Sequence, residues 1–247
     1  MDKFTAISDF FYRNIQRNAK TFPDKPAVID GGGNTALYKD VLHTYEKMRG
    51  FIKTNCIEQW RRFAFATDDS LSLALLQPPL FENAVVSHID RSFPEEKARY
   101  YLELINHDYV ITDDENDYIC RIARDIGMGI IVFYKRGSRG ELDYSFEIAA
   151  EPSERIGGRH LKKPEQVLIG TTSGTTAVPK IVPIDFNILI NCIKGNLRTY
   201  DLNEEDVMFE ISKLTRNIGI NSLLGALTAG ATVILTDGFR HLQCVNI

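Results

Sequence analysis

Val167-Leu168-Ile169-Gly170-Thr171-Thr172-Ser173-Gly174-Thr175-Thr176-Ala177-Val178-Pro179-Lys180 joins an apolar run to a loop crowded with hydroxyls. Val167 to Ile169 supply the β-branched and aliphatic side chains of a buried strand, and Gly174 lets the chain turn sharply. Thr171, Thr172, Ser173, Thr175 and Thr176 set hydroxyl donors beside backbone N–H groups that such a turn points at an anion, and Lys180 adds a mobile positive charge. The stretch therefore reads as a polyphosphate cradle, the alternative for so polar a run being a surface turn with an incidental lysine. It is not a Walker-type loop. That motif needs glycine before the lysine and Ser or Thr after it, where this chain has Pro179 and Ile181.

Working outward, helical and extended patterns alternate on the N-terminal side. Ile7, Phe10, Phe11 and Ile15 recur at helical spacing, with Ser8 or Asp9 as an early cap. Ala27 to Asp30 reads as a strand, and Gly31 to Asn34 as a hairpin turn rather than a phosphate loop, since it lies between two short extended runs. A second helix begins near Tyr38 and runs through Ile52. Strands follow at 63–67, 84–90, 109–112 and 130–134, separated by helical segments at 70–77, from Pro94 to about Ile105, and at 119–126. This order, strand then helix then strand, predicts an open and largely parallel sheet. The polar segment Lys135 to Lys163 reads as a loop-rich connection or a subdomain boundary.

Beyond the lysine, 181–184 is extended, Phe186 to Arg198 is a helix with Ile188, Leu189, Cys192, Ile193 and Leu197 inward, and Ile220 to Leu227 is an apolar helix ended by Gly230 before a strand at 231–235. The resulting fold class is α/β, with layered sheets and flanking helices.

With 247 residues the chain is long enough for one large α/β domain or two modest ones, and a net charge of −4 with interspersed signs offers no basic stripe for nucleic acid. No secretion signal is evident, and no window has the roughly 20 consecutive apolar residues of a membrane span. A cytoplasmic location is expected. Cys56, Cys120, Cys192 and Cys244 are scattered and read as reduced, mostly structural thiols. His88 stands without a carboxylate or cysteine at ligand or triad spacing and reads as structural. Asp113 to Asp117 lacks the glycine and terminal glutamate of a calcium loop, so it reads as a solvated loop or helix N-terminus, and no metal site is assigned.

Thr172-Ser173-Gly174-Thr175-Thr176 followed by Pro179-Lys180 resembles the phosphate-binding signature of the adenylate-forming ligases, the superfamily of acyl-CoA synthetases, peptide-synthetase adenylation domains and luciferases. Ala177 and Ile181 stand where that family commonly has glycine, and Gly238-Phe239 resembles the entry to the family's next helix. Phe22-Pro23-Asp24-Lys25-Pro26-Ala27-Val28, the Ala84 to Asp90 strand and Ala226-Leu227-Thr228-Ala229-Gly230-Ala231-Thr232-Val233 also match the family's order, with His88 where proline is usual. The resemblance implies the N-terminal portion of the ligase large domain, divided into an N-terminal α/β subdomain at 1–164 and a truncated second subdomain at 165–247 that carries the phosphate loop. It implies ATP as cosubstrate, with Thr171, Thr172, Ser173, Gly174, Thr175, Thr176 and Lys180 binding it and Lys180 assisting catalysis. Mg2+ ligands are expected mostly outside the chain, as are the ribose-binding aspartate and the adenylation lysine. Expected partners are a carboxylic or amino acid, CoA or an acyl or peptidyl carrier protein, and a C-terminal half. Arg216 falls at the family's histidine-like position near the acyl tunnel, where it reads equally as a polar gate or as a surface residue. A non-catalytic nucleotide-binding or protein-interaction module built on the same fold is the alternative function.

Overall fold

The structure, a computed structural model, describes residues 5–157, 166–171 and 181–236. Helix α1 (Thr5–Thr21) buries Phe11 and Ile15, four residues apart on one face. The helix is already under way at Ser8 and Asp9, so neither is its cap, contrary to the sequence expectation. Strands β1 (Pro26–Ile29) and β2 (Thr35–Leu37) form the expected hairpin. Asp30 Oδ1 accepts the N–H groups of Gly32 and Asn34 at 2.9 and 2.8 Å, and Gly33 takes φ +83°, which fixes the turn without any ligand.

Helix α2 (Tyr38–Thr54) opens on Asp40, whose Oδ2 accepts the Leu37 N–H at 2.8 Å. The same buried carboxylate accepts the Gly140 N–H at 2.9 Å and the Leu142 N–H at 3.3 Å, so it also ties down a distant turn. Next come β3 (Arg62–Ala66), α3 (Ser70–Leu76) and a 3-10 turn over Pro78–Glu82, where the paired prolines end the α-helix as their missing N–H groups require. They lead to β4 (Val85–His88), α4 (Glu95–Ile105), β5 (Tyr109–Thr112), α5 (Tyr118–Ile126) and β6 (Gly129–Arg136). Asp117 caps α5 through the Ile119 N–H at 2.8 Å, and Asp114 accepts the Asn116 N–H at 2.9 Å, so the acidic run serves a loop and a helix N-terminus.

The segment read as a loop-rich connection holds a strand, β7 (Asp143–Ala150), antiparallel to β6 along its length. Tyr144, Phe146 and Ile148 alternate with polar neighbours, the period of a half-buried edge strand, and Tyr144 is fully buried. A short helix, α6 (Glu154–Gly157), follows. The remaining described elements are β8 (Gln166–Thr171), β9 (Ile181–Asp185), α7 (Phe186–Thr199), β10 (Val207–Glu210), α8 (Asn217–Ala229) and β11 (Thr232–Leu235). Helix α7 buries Phe186, Leu189, Ile190 and Ile193, while Ile188 and Cys192 face solvent, so its inward stripe is rotated from the expected one. The Gly238-Phe239 helix expected from the sequence lies outside the described residues.

Two sheets result, one ordered β10-β11-β1-β2 and one ordered β7-β6-β5-β3-β4-β8-β9. In the larger sheet β3, β4, β5, β6 and β8 run parallel, with antiparallel edges β7 and β9. Phe63-Ala64-Phe65-Ala66 shows why both faces are covered. The two phenylalanines enter a core shared with the smaller sheet and α1, α2, α3, α7 and α8, and the two alanines admit α4 and α5 closely on the other face. Strands on either side of residues 164 and 165 share both sheets. Asn18 Nδ2 donates to the Leu227 carbonyl at 2.8 Å, Tyr38 Oη to the Ala231 carbonyl at 2.7 Å and Thr232 Oγ1 to the Pro26 carbonyl at 2.7 Å, fastening the N-terminal hairpin to α8 and β11.

Cys56 and Cys192 are exposed and Cys120 is buried, none of them paired. Only Cys120 among these is a core thiol, with burial raising its pKa to about 11, and Cys244 lies outside the described residues.

Candidate functional site

Strands β8 and β9 form an antiparallel hairpin in which Thr171 pairs with Ile181. The expected phosphate-binding residues Thr172, Ser173, Gly174, Thr175, Thr176 and Lys180 lie between them, outside the described residues. Thr171 is the last residue of β8, and the hairpin pairing holds the two ends of the connection together.

At that end of the sheet, Gly170 meets the start of α8. A Cβ placed on Gly170 would lie 2.8 Å from Asn217 Oδ1, so any larger residue there has to displace the Asn217 side chain. Asn217 is the first residue of α8, and the positive end of that helix therefore abuts the end of β8. Gly219 is needed as well, because a Cβ there would lie 2.6 Å from the Lys213 carbonyl. Gly170→Ala is expected to push the Asn217 side chain aside, costing about 1 kcal/mol in stability while weakening nucleotide binding. Thermal melts with and without ATP test this, and an unchanged nucleotide-induced shift in melting temperature would count against it.

Beside the hairpin, the C-terminal ends of β3, β4, β10 and β11 border a crevice of about 330 Å3. Its floor is apolar, from Leu73, Ile89, Leu214 and Leu235, and its rim is polar, from Asp68, Ser70, Asp90, Ser212, Lys213 and Thr236 among others. Such a crevice at strand C-termini is where open α/β sheets take ligands. Val86 and Ser87 of β4 pair with Leu168 and Ile169 of β8, so Ile89 and Asp90 leave β4 at the level where β8 gives way to the loop. Burial opposes ionisation of Asp90, but hydrogen bonds from the Ser92 hydroxyl and N–H, with Lys213 and Lys97 nearby, hold its carboxyl below the usual range. Asp90 therefore carries its charge at neutral pH.

A neighbouring set of side chains is spent on structure. Arg91 pairs with Asp113 and Asp117, Thr67 Oγ1 donates to Asp113 at 2.9 Å, and Lys135 pairs with Asp69, the cap of α3. These contacts fill the space between the ends of β3 and β5 with carboxylates and their partners, which is unsuited to a phosphate. Among the described residues no group of three or more His, Cys, Asp or Glu side chains is arranged to hold a metal ion.

His88 has the structural role expected of it. Its Nε2–H donates to Gln77 Oε1 at 3.2 Å and its ring stacks on Phe65, with centroids 6.0 Å apart. Burial lowers its pKa to about 4, so the imidazole is neutral at pH 7. The sign follows directly: between the unfolded value of about 6.5 and the folded value of about 4, the unfolded chain binds the extra proton, and stability falls as pH falls. The full shift corresponds to about 3 kcal/mol, an upper bound because the residue keeps partial solvent contact. Urea midpoints of wild type and His88→Phe at pH 7 and pH 4.5 should diverge in their pH dependence, and parallel behaviour would show that His88 does not titrate in this way.

The sequence reading missed Asp90 and Ser212 as site residues, and of the segment 213–219, which the resemblance sets near the acyl tunnel, it singled out only Arg216. A glycine closing the strand at Gly170 was the available signal for a close approach, but it does not name the helix that approaches. Arg216 is exposed at the N-cap of α8 and does not line the crevice, which matches its reading as a surface residue.

A sequence profile of AMP-binding enzymes matches residues 15–246. The chain belongs to this family. Its relatives within and around the AMP-binding enzymes include surfactin synthase subunit 2 of Bacillus subtilis, 25% identical over 219 residues that cover 87% of this chain and 6% of that protein. The mouse beta-alanine-activating enzyme is 22% identical over 260 residues, covering 90% of this chain and 23% of that protein. Among solved structures, ATP-bound MatB from Rhodopseudomonas palustris superimposes with a TM-score of 0.71 at 14% identity, over 94% of this chain and 46% of that one. The o-succinylbenzoate CoA synthetase MenE of Bacillus subtilis, solved with its acyl-adenylate intermediate, gives a TM-score of 0.66 at 13% identity, over 92% of this chain and 56% of that one. The fold is thus the mixed α/β fold of the adenylate-forming ligases, and the chain spans under a quarter of the length of these two curated relatives. No helix among the described residues is long and apolar enough to cross a membrane.

Proposed function

We propose that the chain is the N-terminal portion of an AMP-forming carboxylate ligase, which activates a carboxylic or amino acid as its acyl-adenylate for transfer to the thiol of CoA or of a carrier-protein phosphopantetheine. The observation that carries this reading is the position of the β8–β9 hairpin. Thr171 and Ile181, which flank the hydroxyl-rich stretch, pair at the end of that hairpin, and Gly170 just before them meets Asn217 at the start of α8. In this role the hydroxyls of Thr171, Thr172, Ser173, Thr175 and Thr176, with backbone N–H groups near Gly174, hold the β and γ phosphates of ATP, and Lys180 offsets their charge. ATP supplies the electrophilic α-phosphorus and a pyrophosphate leaving group. The chain's own residues lower the barrier by holding the polyphosphate so that two anions can approach in line.

Mg2+ ligands, the ribose contacts, the adenylation lysine and most of the acyl pocket are assigned to sequence outside this chain. Carboxylate-dependent exchange of pyrophosphate into ATP tests the assignment. The isolated chain is expected to bind ATP without exchange, and exchange catalysed by the isolated chain would overturn the claim that its machinery is divided.

A further inference from the structure

Three of the four sheet edges carry a feature that discourages pairing with another chain. Strand β2 is three residues long, β9 contains Pro183, and β7 turns Ser145 and Glu147 outward. The fourth edge, β10, has none of these and reads Val207-Met208-Phe209-Glu210.

The ladder defines the free side of β10. The Asp206 carbonyl accepts the Thr232 N–H at 3.0 Å and the Glu210 carbonyl accepts the Thr236 N–H at 3.1 Å, so the even-numbered residues turn their backbone groups to β11. Those of Val207, Phe209 and Ile211 point the other way and have no backbone partner among the described residues. Met208 packs on the core and Glu210 is buried, which leaves the Val207, Phe209 and Ile211 side chains on the opposite face. Tyr200, Ile218 and Val207 are the most exposed large apolar side chains among the described residues, at 73%, 65% and 63%, and Ile211 is 47% exposed, so exposed apolar surface gathers in and around this strand.

The two ends of β10 differ in charge. Glu204, Glu205 and Asp206 precede it, Lys213 and Arg216 follow it, and none of them is in an ion pair among the described residues. Lys25 lies near the first group and Asp90 near Lys213, which still leaves one end net negative and the other net positive. The order acidic, Val207, Phe209, Ile211, basic is complementary to its own reverse. In an antiparallel pair centred on Phe209, Val207 of each copy meets Ile211 of the other, and each acidic end reaches a basic one.

We infer that β10 pairs with β10 of a second copy of this chain, antiparallel about a two-fold axis at Phe209, joining the two smaller sheets into one. The pairing needs no nucleotide. So short an edge falls at the small end of specific interfaces, near or below roughly 1,200 Å2, and the dimer should dissociate at about 10–100 μM.

Sedimentation equilibrium across about 1–500 μM, which brackets that value, tests the pairing. The average mass should rise from 28.0 kDa toward twice that figure. Val207→Lys and, separately, Ile211→Lys place a lysine on the edge, where it opposes pairing. Each should keep the chain monomeric at the highest concentration with its circular dichroism unchanged. Cross-linking reads the register. With Cys56, Cys192 and Cys244 replaced by serine, an oxidised mixture of Val207→Cys and Ile211→Cys chains should form a disulfide-linked dimer, while either chain alone stays largely monomeric. A monomer at every concentration would leave β10 to a strand of some other polypeptide and overturn the self-pairing. Dimers that survive both lysine variants, or equal cross-linking of the separate and mixed chains, would overturn it as well.

Discussion

Lys180→Ala is expected to weaken ATP binding by roughly ten- to a hundredfold, the equivalent of one charge-assisted contact of about 1.5–3 kcal/mol. AMP affinity should change much less, because AMP lacks the β and γ phosphates that Lys180 is assigned to meet. Lys180→Arg is not a conservative control, since the guanidinium fork presents a different geometry from a point charge. The wild-type advantage over Lys180→Ala should also shrink as salt is raised, because salt screens the attraction between an ammonium and a polyphosphate. Calorimetric titrations of both nucleotides at two ionic strengths check this, and equal losses for AMP and ATP would remove Lys180 from the phosphate-binding role.

The largest expected effect on stability is at Asp108. Its carboxylate is fully buried, with Oδ1 accepting from Arg61 Nη1 at 3.1 Å and Oδ2 accepting the Arg62 backbone N–H at 2.7 Å. Arg61 is itself buried and also donates to the Ile156 carbonyl at 3.1 Å, so the pair joins the starts of β3 and β5 to α6. Asp108→Ala leaves a buried guanidinium short of its counter-charge and a backbone donor without its acceptor, for a loss of about 3–5 kcal/mol. That is a large share of the roughly 5–15 kcal/mol by which domains are stable. Urea denaturation should show a lowered midpoint with an unchanged slope. Asp108→Asn, which keeps an acceptor for the Arg62 N–H, should lose less. A cost for Asp108→Ala within about 1 kcal/mol, the range of an exposed pair, would contradict this role.

Much of the scaffold was legible because its signals are local. Asp117 before Tyr118, Gly127 after Ile126 and Gly230 after Ala229 mark helix ends, and both glycines take the left-handed conformation expected there, φ +81° and +89°. Phe63-Ala64-Phe65-Ala66 alternates as a strand covered on both faces should. What escaped depends on distant neighbours. Strand β7 follows a glycine-rich turn, and its outward face is polar, so it resembles a loop until β6 pairs with it. The stripe of α7 was misjudged because Ile188 and Cys192 fit an apolar period, and only packing against the core selects Phe186 and Ile190 instead. Sheet order was not legible either: β1 pairs with β11 across most of the chain, a contact that no local pattern encodes.

The candidate site divides in the same way. Its hydroxyls and lysine are a sequence motif, and those beyond Thr171 lie outside the described residues. The crevice is not a motif, because it is assembled from the ends of four strands, and Asp90, Ser212 and Lys213 carry no signature apart from that assembly. Asn217 meets Gly170 only because α8 is fixed over β8.

The claim on which the rest depends is that the β8–β9 connection holds the terminal phosphates of ATP. Phosphorus NMR of ATP titrated with the chain tests it most directly, since the three phosphates are resolved separately. Saturable shifts of the β and γ resonances, larger than that of the α resonance and lost in Lys180→Ala, are the predicted result. No perturbation of ATP, or one confined to the α resonance and indifferent to Lys180, would contradict it.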